Sequence, residues 1–495
     1  MIADSSINRM PSKTSLDAIA ARIERLPLGR FHRRFITLVS LGNFFDLYDI
    51  FVVAYIGAAL QQSHFITLQQ FTAFIASGFF GMFVGTIAFG MGSDRFGRRI
   101  VFMTLLLLYS VFTLACAFAP SATWLIVLRF FAGAGIGAEI IIIDAYVSEI
   151  VPSRARGRYV AITQVVGFCA VPVAALLARV LVPTHFLMAG WRWVVLIGSA
   201  GALLTWWFRR HLPESPRWLA SRGRIAEAES VLAALESEFF ANLDEKHLAR
   251  SLASQQKAHA ASPTGLGAGD DAGGAAQPNF ARSNSAQLNP AVEKISFAEL
   301  FRHPYLGRTA MMIAFQALQT VGFYGFANWA PTFLLKRGFS LLHSLEYTML
   351  IAVVSPIGPL LAAATSDRME RKWTITALAI LVAGFGLGFG GASTPFTVVA
   401  FGALLTLANY WFSAAFHAYQ AELFPTRIRA TAVGFTYSWS RLSAAFSSVL
   451  IAAVLTRSGV GAVFTLLAVA MCGVALVIAF FGPRTNRIPL EELAR

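Results

Sequence analysis

Two aspartates fall where an apolar helix would bury them. In Gly42-Asn43-Phe44-Phe45-Asp46-Leu47-Tyr48-Asp49 the carboxylates are three positions apart, which puts them on one helix face. At a rise of about 1.5 Å per residue they lie roughly 15 Å into the first apolar stretch, near a bilayer midplane. An ionised carboxylate there is costly unless paired, so proton uptake is the chemistry such a position favours. A permanent ion pair that only fixes helix packing is the structural alternative, and nothing chooses between Asp46 and Asp49. Glu139 and Asp144 lie inside the fourth apolar stretch and complete the acidic set.

Arg441 ends Tyr437-Ser438-Trp439-Ser440-Arg441, inside the eleventh stretch, and Arg129 opens the fourth. A guanidinium in hydrocarbon needs an anion. For Arg441 that anion is an internal carboxylate, such as Asp46 or Asp49, or the carboxylate of a substrate. For Arg129, near a helix start, structural pairing is expected. Gln316, Gln319, Tyr324, Asn328 and Trp329 of the seventh stretch offer hydrogen bonds and flat apolar walls. Tyr48, Gln164, Trp439 and His417 could complete a pocket. The plain alternative is hydrogen bonding between helices, or interfacial anchoring for an aromatic such as Trp329, which stands just before Pro331.

These residues need long apolar helices to hold them. Only 13% of the 495 residues are charged, 56% are hydrophobic, and the mean hydropathy is +0.61. A spanning helix needs roughly 20 apolar residues, and the chain offers twelve such segments, six in 36–208 and six in 308–481. The alternation of a β-barrel is absent. Residues 1–35 and 482–495 are polar ends. Residues 209–307 form a polar centre: 223–248 has helix-forming composition, 257–290 is a tether with little to bury, and 296–302 is an amphipathic lead-in.

A duplicated cassette ties the halves together. Tyr146, Glu149, Pro152, Arg154 and Arg156 return as Tyr419, Glu422, Pro425, Arg427 and Arg429, each displaced by 273 positions. Asp94 and Arg95 return as Asp367 and Arg368 at the same displacement, and His417 falls opposite Asp144. The net charge of +14 collects on one side of the predicted weave, with Arg98, Arg99, Arg209 and Arg210 among the contributors. That asymmetry places both termini in the cytoplasm and argues against nucleic acid as a partner. Carboxylates at helix ends (Asp94, Glu149, Glu214, Asp367, Glu422) face arginines on neighbouring loops (Arg95, Arg98, Arg154, Arg156, Arg217, Arg368, Arg427, Arg429). Together they could form a cytoplasmic gate of ion pairs between two bundles. Individually such exposed pairs contribute only about 0–1 kcal/mol, and fixing topology is their simpler role.

The run Gly90-Met91-Gly92-Ser93-Asp94-Arg95-Phe96-Gly97-Arg98-Arg99 resembles the loop 2–3 signature of the major facilitator superfamily. Gly90 and Gly97 are its structural glycines. Arg129-x-x-x-Gly133-x-Gly135 resembles a second signature of that superfamily. Glu149-x-x-Pro152-x-x-x-Arg156-Gly157, Pro213-Glu214-Ser215-Pro216-Arg217-Trp218-Leu219 and Glu422-Leu423-Phe424-Pro425-Thr426-Arg427 resemble its sugar-porter-like branch. Phe44-Phe45-Asp46-Leu47-Tyr48-Asp49 is similar to the metabolite:proton symporters, which border the aromatic-acid, nicotinate and synaptic-vesicle-protein-like carriers. The second copy departs from the pattern, with Glu370 opposite Gly97 and Ala363 opposite Gly90, so the second latch is expected to close differently.

The resemblance implies an all-α membrane protein of twelve helices in two pseudo-symmetric six-helix bundles, with the site between them. It implies proton-driven symport by alternating access. Buried arginines and aromatic walls favour a small organic acid, first an aromatic monocarboxylate such as nicotinate or a hydroxybenzoate. A sugar or polyol is the alternative, and a non-transporting receptor the reading from another class. No nucleophile–base pair, cofactor fingerprint or metal-ligand spacing stands out, so no enzyme, cofactor or metal is expected. Cys116, Cys169 and Cys472 read as packing residues. A monomer in the inner membrane, with lipid, proton and a small molecule as partners, completes the expectation.

Overall fold

The computed structural model describes residues 13–26, 28–210, 212–237, 297–365, 369–424 and 428–485. Asp367, Arg368, Arg427 and the 257–290 segment lie outside the described residues. So do the side chains of Asp94, Arg95, Asp144, Arg154, Arg156 and Arg429, while Gly90 falls within the second span.

The regular structure among the described residues is helical, and it resolves into twelve spans. The first six are Arg30–Gln62, Leu68–Phe96, Arg98–Ala117, Ala122–Ile150, Ser153–Phe168 continued by Ala170–Leu181, and Gly190–Arg209. The seventh is Tyr305–Ala327, extended by Ala330–Lys336, and the eighth is Leu341–Ala352 with Ile357–Thr365. Arg371–Gly391 and Pro395–Glu422 follow. The last two spans run as one stretch, Arg429–Phe481, broken at Gly459, whose φ of 76° reverses the chain where a side chain would be strained. Local chemistry starts the helices where it can: Pro395 occupies the first turn of the tenth span, behind a reciprocal cap between Thr394 and Thr397.

Small residues set how closely the spans approach. A Cβ at Gly81 would sit 2.0 Å from the Phe130 carbonyl oxygen, and one at Gly85 would sit 1.9 Å from that of Ala134. Gly133 and Gly137 face back onto Gly78 and Met82 in the same way. The second and fourth spans therefore touch backbone to backbone, the contact that small residues permit in lipid. The Gly384–Gly390 run does not repeat this. Gly384 faces open space, and Gly388 and Gly390 meet phenyl rings, Phe401 and Phe464.

A short helix, Lys13–Arg25, precedes the first span where a featureless polar end was expected. Its Ile19 and Ile23 bury with Leu26 against Trp218, Leu219, Leu232 and Leu235, in the segment after the sixth span. Arg22 donates through Nε to Glu236 at 3.0 Å, and Arg217 pairs with Glu24 at 2.8 Å. Three apolar positions in a polar run give too weak a period to read from sequence alone.

The spans' ends that carry the repeated cassettes form one face, here the cassette end. Contacts between the halves lie in the middle and at the opposite, far end. There Gln61 Nε2 donates to Thr332 at 3.2 Å, Arg179 lies 3.9 Å from Glu346, and the Phe71 ring meets Trp329 at 5.3 Å between centroids. Phe79 and Tyr324 meet at 4.7 Å in the middle. At the cassette end, the ion pairs Arg98–Glu149 and Arg371–Glu422 each lie inside one half.

Candidate functional site

Buried charge in the first half forms two layers, one helical turn apart. In the layer nearer the far end, Arg129 pairs through Nη1 with Asp49 Oδ2 and donates through Nη2 to the Asp49 carbonyl at 2.9 Å. Thr113 donates to Asp49 Oδ1 at 3.0 Å. One turn toward the cassette end, Asp46 of the first span is wholly buried with both carboxyl oxygens unpartnered among the described residues, and Glu139 of the fourth is wholly buried as well. Arg209 donates through Nη1 to Glu139 Oε1 at 2.7 Å, and both side chains are wholly buried. Its remaining donors go to the carbonyls of Leu38 and Val39, at 2.9 and 3.0 Å, and its guanidinium lies 4.2 Å from the Phe102 ring centre.

The sequence marked Arg209 only as a topology-setting charge at the end of the sixth span. The structure buries it in the notch at Gly42, where a Cβ would stand 1.5 Å from its guanidinium. The signal was present in part: Glu139 needed a cation, and Gly42 lies one turn before Asp46. Arg129 is paired, as expected. Asp46 and Asp49 share a helix face but not a partner, and neither reaches Arg441.

The second half holds its buried charge differently. Arg441 is 1% exposed, and its Nη1 donates to the Tyr324 hydroxyl at 2.6 Å and its Nη2 to that of Tyr437 at 2.9 Å. Its Nε has no partner, and no carboxylate among the described residues pairs with it. Beside it runs a chain of side-chain amides. Gln319 donates to Gln316 at 3.0 Å, Gln316 to Gln420 at 2.9 Å, and Gln420 lies 3.1 Å from His417 Nδ1. The His417 ring stands 5.5 Å from that of Tyr437. Gln420 was not among the residues expected here, although it follows His417 by three positions and so shares its face.

Several expected pocket residues lie elsewhere. Trp439 is 37% exposed and packs edge-on against Phe435. Two positions from Arg441 is about 200° around a helix, so the two cannot face the same way. Tyr48 donates to the Val194 carbonyl at 2.8 Å, inside the first bundle. Trp329 is buried in the contact between the halves at the far end rather than anchored at an interface. Asn328 caps the seventh span with its Oδ1 buried and unpartnered, and Gln164 is half-buried on the fifth.

A narrow cavity between the halves was not foreseen. Phe51, Tyr55, Phe323, Asn409 and Tyr410 are among its walls, and the Asn409 Oδ1 is buried without a partner. Its walls are apolar enough to read as ordinary core in sequence.

At the cassette end, Arg98 Nε donates to Glu149 at 3.2 Å, and Arg371 pairs with Glu422. Glu214 accepts from the backbone N–H groups of Arg98 and Arg99, at 3.0 and 3.1 Å, closing the N-terminus of the third span. The neighbouring Gly97 has φ of 105° and no room for a Cβ beside that carboxylate. The copy differs in polarity. Glu370 sits in the loop itself and accepts from the N–H of Thr485, beyond the twelfth span, at 3.1 Å. Both copies retain a tyrosine clasp, Tyr146 on the Pro213 carbonyl and Tyr419 on that of Pro483.

Residues 35–495 match the family model described as sugar (and other) transporter. The chain belongs to this family of the major facilitator superfamily. It is therefore a multi-pass membrane transporter of small molecules and not an enzyme. Among curated relatives, the niacin transporter NiaP of Acinetobacter baylyi is 29% identical, over 96% of this chain and 99% of that protein. The inner membrane metabolite transport protein YdjE of Escherichia coli is 30% identical, over 97% and 98%. Among solved structures, the xylose transporter XylE of E. coli in a partially occluded, inward-open conformation matches with a TM-score of 0.69 at 18% identity. That match covers 91% of this chain and 99% of XylE, and at that identity it speaks for the fold.

Proposed function

We propose that this transporter is a proton-coupled symporter of a small organic acid, with an aromatic monocarboxylate as its substrate class. The observation that carries this reading is Arg441. A buried guanidinium that donates to two phenol hydroxyls and pairs with no carboxylate among the described residues leaves a substrate carboxylate as its natural counter-ion. Tyr324, Tyr437 and the Phe79 ring across the interface supply flat faces for an aromatic ring. Niacin, named for the NiaP relative, is a pyridine monocarboxylate and fits that description. Proton coupling is assigned to the carboxylates of the first half, which sit at the depth where charge is most costly.

The cassette end is the cytoplasmic face in this reading, and both termini lie there, in the inner membrane of a monomer. The ion pairs Arg98–Glu149 and Arg371–Glu422 then brace each bundle when the carrier is closed outside and open inside. In the opposite state the cassettes of the two halves meet as a gate. A sugar or polyol is the second reading, and one observation favours it: the Gln319–Gln316–Gln420 chain presents amides suited to hydroxyl groups.

Purified carrier in proteoliposomes separates the two. The acid reading expects accumulation of nicotinate or hydroxybenzoate driven by an inward proton gradient, and loss of it in Arg441→Met. Accumulation of sugars alone, unaffected by Arg441→Met, overturns it. Binding without flux would make the protein a receptor.

A further inference from the structure

We infer that the helix Lys13–Arg25 is a strap that keeps the first-half cassette formed, and that Trp218 is the positioning residue through which it acts. The inference rests on the gate assigned to the cassettes above, and not on which solute is carried. Ile19, Ile23 and Leu26 close over Trp218, Leu219, Leu232 and Leu235, a small apolar core outside the spans. Removing those faces from water drives the docking. Two ion pairs set its register. Arg22 grips Glu236 with two parallel bonds, Nε to Oε1 at 3.0 Å and Nη2 to Oε2 at 2.6 Å, and Arg217 reaches Glu24 at 2.8 Å. Both pairs are partly exposed, so they fix geometry more than they add stability.

Trp218 touches the cassette on its other side. A Cβ at Gly97 would stand 3.2 Å from Trp218 Cη2, so the indole lies against the loop between the second and third spans. The Trp218 N–H donates to Ser215 Oγ at 3.2 Å, which caps the short helix Pro216–Ser221 and fixes the direction of the preceding Glu214. Glu214 in turn accepts from the N–H groups of Arg98 and Arg99. Gly97 stands at the N-cap of the third span and has no side chain to supply that acceptor. The order is therefore strap, Trp218, Glu214 and the third-span N-terminus, whose Arg98 carries the pair with Glu149. With the strap released, Glu214 is no longer held in place, and the first turn of the third span loses the acceptor for its open N–H groups.

Hydrogen–deuterium exchange of the full-length carrier reads the loop without any substrate. Ile23→Asp places a charge in the small core, and it should speed exchange at the Arg98 and Arg99 amides about tenfold, with the middle of the spans unchanged. Arg22→Glu should act in the same direction to a smaller extent. Combining it with Glu236→Arg should restore the wild-type rate, a recovery that a general loss of stability would not give. Unchanged exchange at these amides in Ile23→Asp, or no recovery in the charge-swapped pair, overturns the inference. In proteoliposomes, Arg22→Glu should slow nicotinate uptake several-fold and the swapped pair should recover it. A wild-type rate in Arg22→Glu, alongside faster exchange, overturns the strap's part in gating. A wild-type carrier that takes up no nicotinate would overturn the acid reading and leave the exchange result to decide the strap alone.

Discussion

The two halves share one repeated cassette, yet they treat buried arginine in opposite ways. In the first half Arg129 and Arg209 each meet a carboxylate, Asp49 and Glu139. In the second half Arg441 meets, among the described residues, the hydroxyls of Tyr324 and Tyr437 and no carboxylate. A closed ion pair is satisfied within the protein and has surplus capacity only for a proton. A guanidinium held by neutral groups keeps its attraction for an anion from outside. In the proposed reading this difference is a division of labour, with the proton handled by one bundle and the substrate's charge by the other.

That contrast is breakable. Arg209→Met should have the largest effect, because it strands the wholly buried Glu139 carboxylate in the core. Breaking such a buried pair costs about 3–5 kcal/mol, to be read as a lowered melting temperature and partly recovered in the double variant with Glu139→Gln. Asp49→Asn should follow, leaving Arg129 without its anion and lowering the melting temperature by a comparable mechanism. Arg441→Met strands no charge, only two phenol hydroxyls, so it should melt much closer to the wild type than Arg209→Met. It should nevertheless raise the KM for an aromatic acid by roughly ten- to a hundredfold, the equivalent of a charged hydrogen bond of about 1.5–3 kcal/mol. If it melted as low as Arg209→Met, the contrast between the halves would be lost. Tyr324→Phe should cost about 1 kcal/mol of substrate binding, measured as a several-fold rise in KM. Trp439→Leu should change neither stability nor KM measurably, since its side chain faces outward, and a marked rise in KM would return it to the pocket.

The architecture was readable because hydrocarbon demands long apolar helices whatever their packing. The repeat of 273 positions gave the two bundles, and Gly81, Gly85, Gly133 and Gly137 marked a real contact. Reading was less complete at the site. Asp46, Asp49, Glu139, Arg129 and Arg441 stood out because charge in an apolar run is rare. Their partners did not, since those come from other spans. Arg209 looked like a loop charge because it ends its helix, and only the Gly42 notch explains its burial. Trp439 failed for angular reasons, although its spacing from Arg441 was already sufficient to show it. Glu370, opposite Gly97, did foretell a second loop of different construction.

Sequence alone determined how many helices cross the bilayer, which end of each carries the cassettes, and which few ionisable groups enter the apolar layer. Those follow from composition and order along the chain, because transfer into hydrocarbon is a property of each segment by itself. Tertiary structure decided which carboxylate meets which arginine, and so which charges are spent inside the fold and which remain for a ligand. Pairing at about 3 Å depends on how spans far apart in sequence rotate and pack, and no periodicity within one span contains that information.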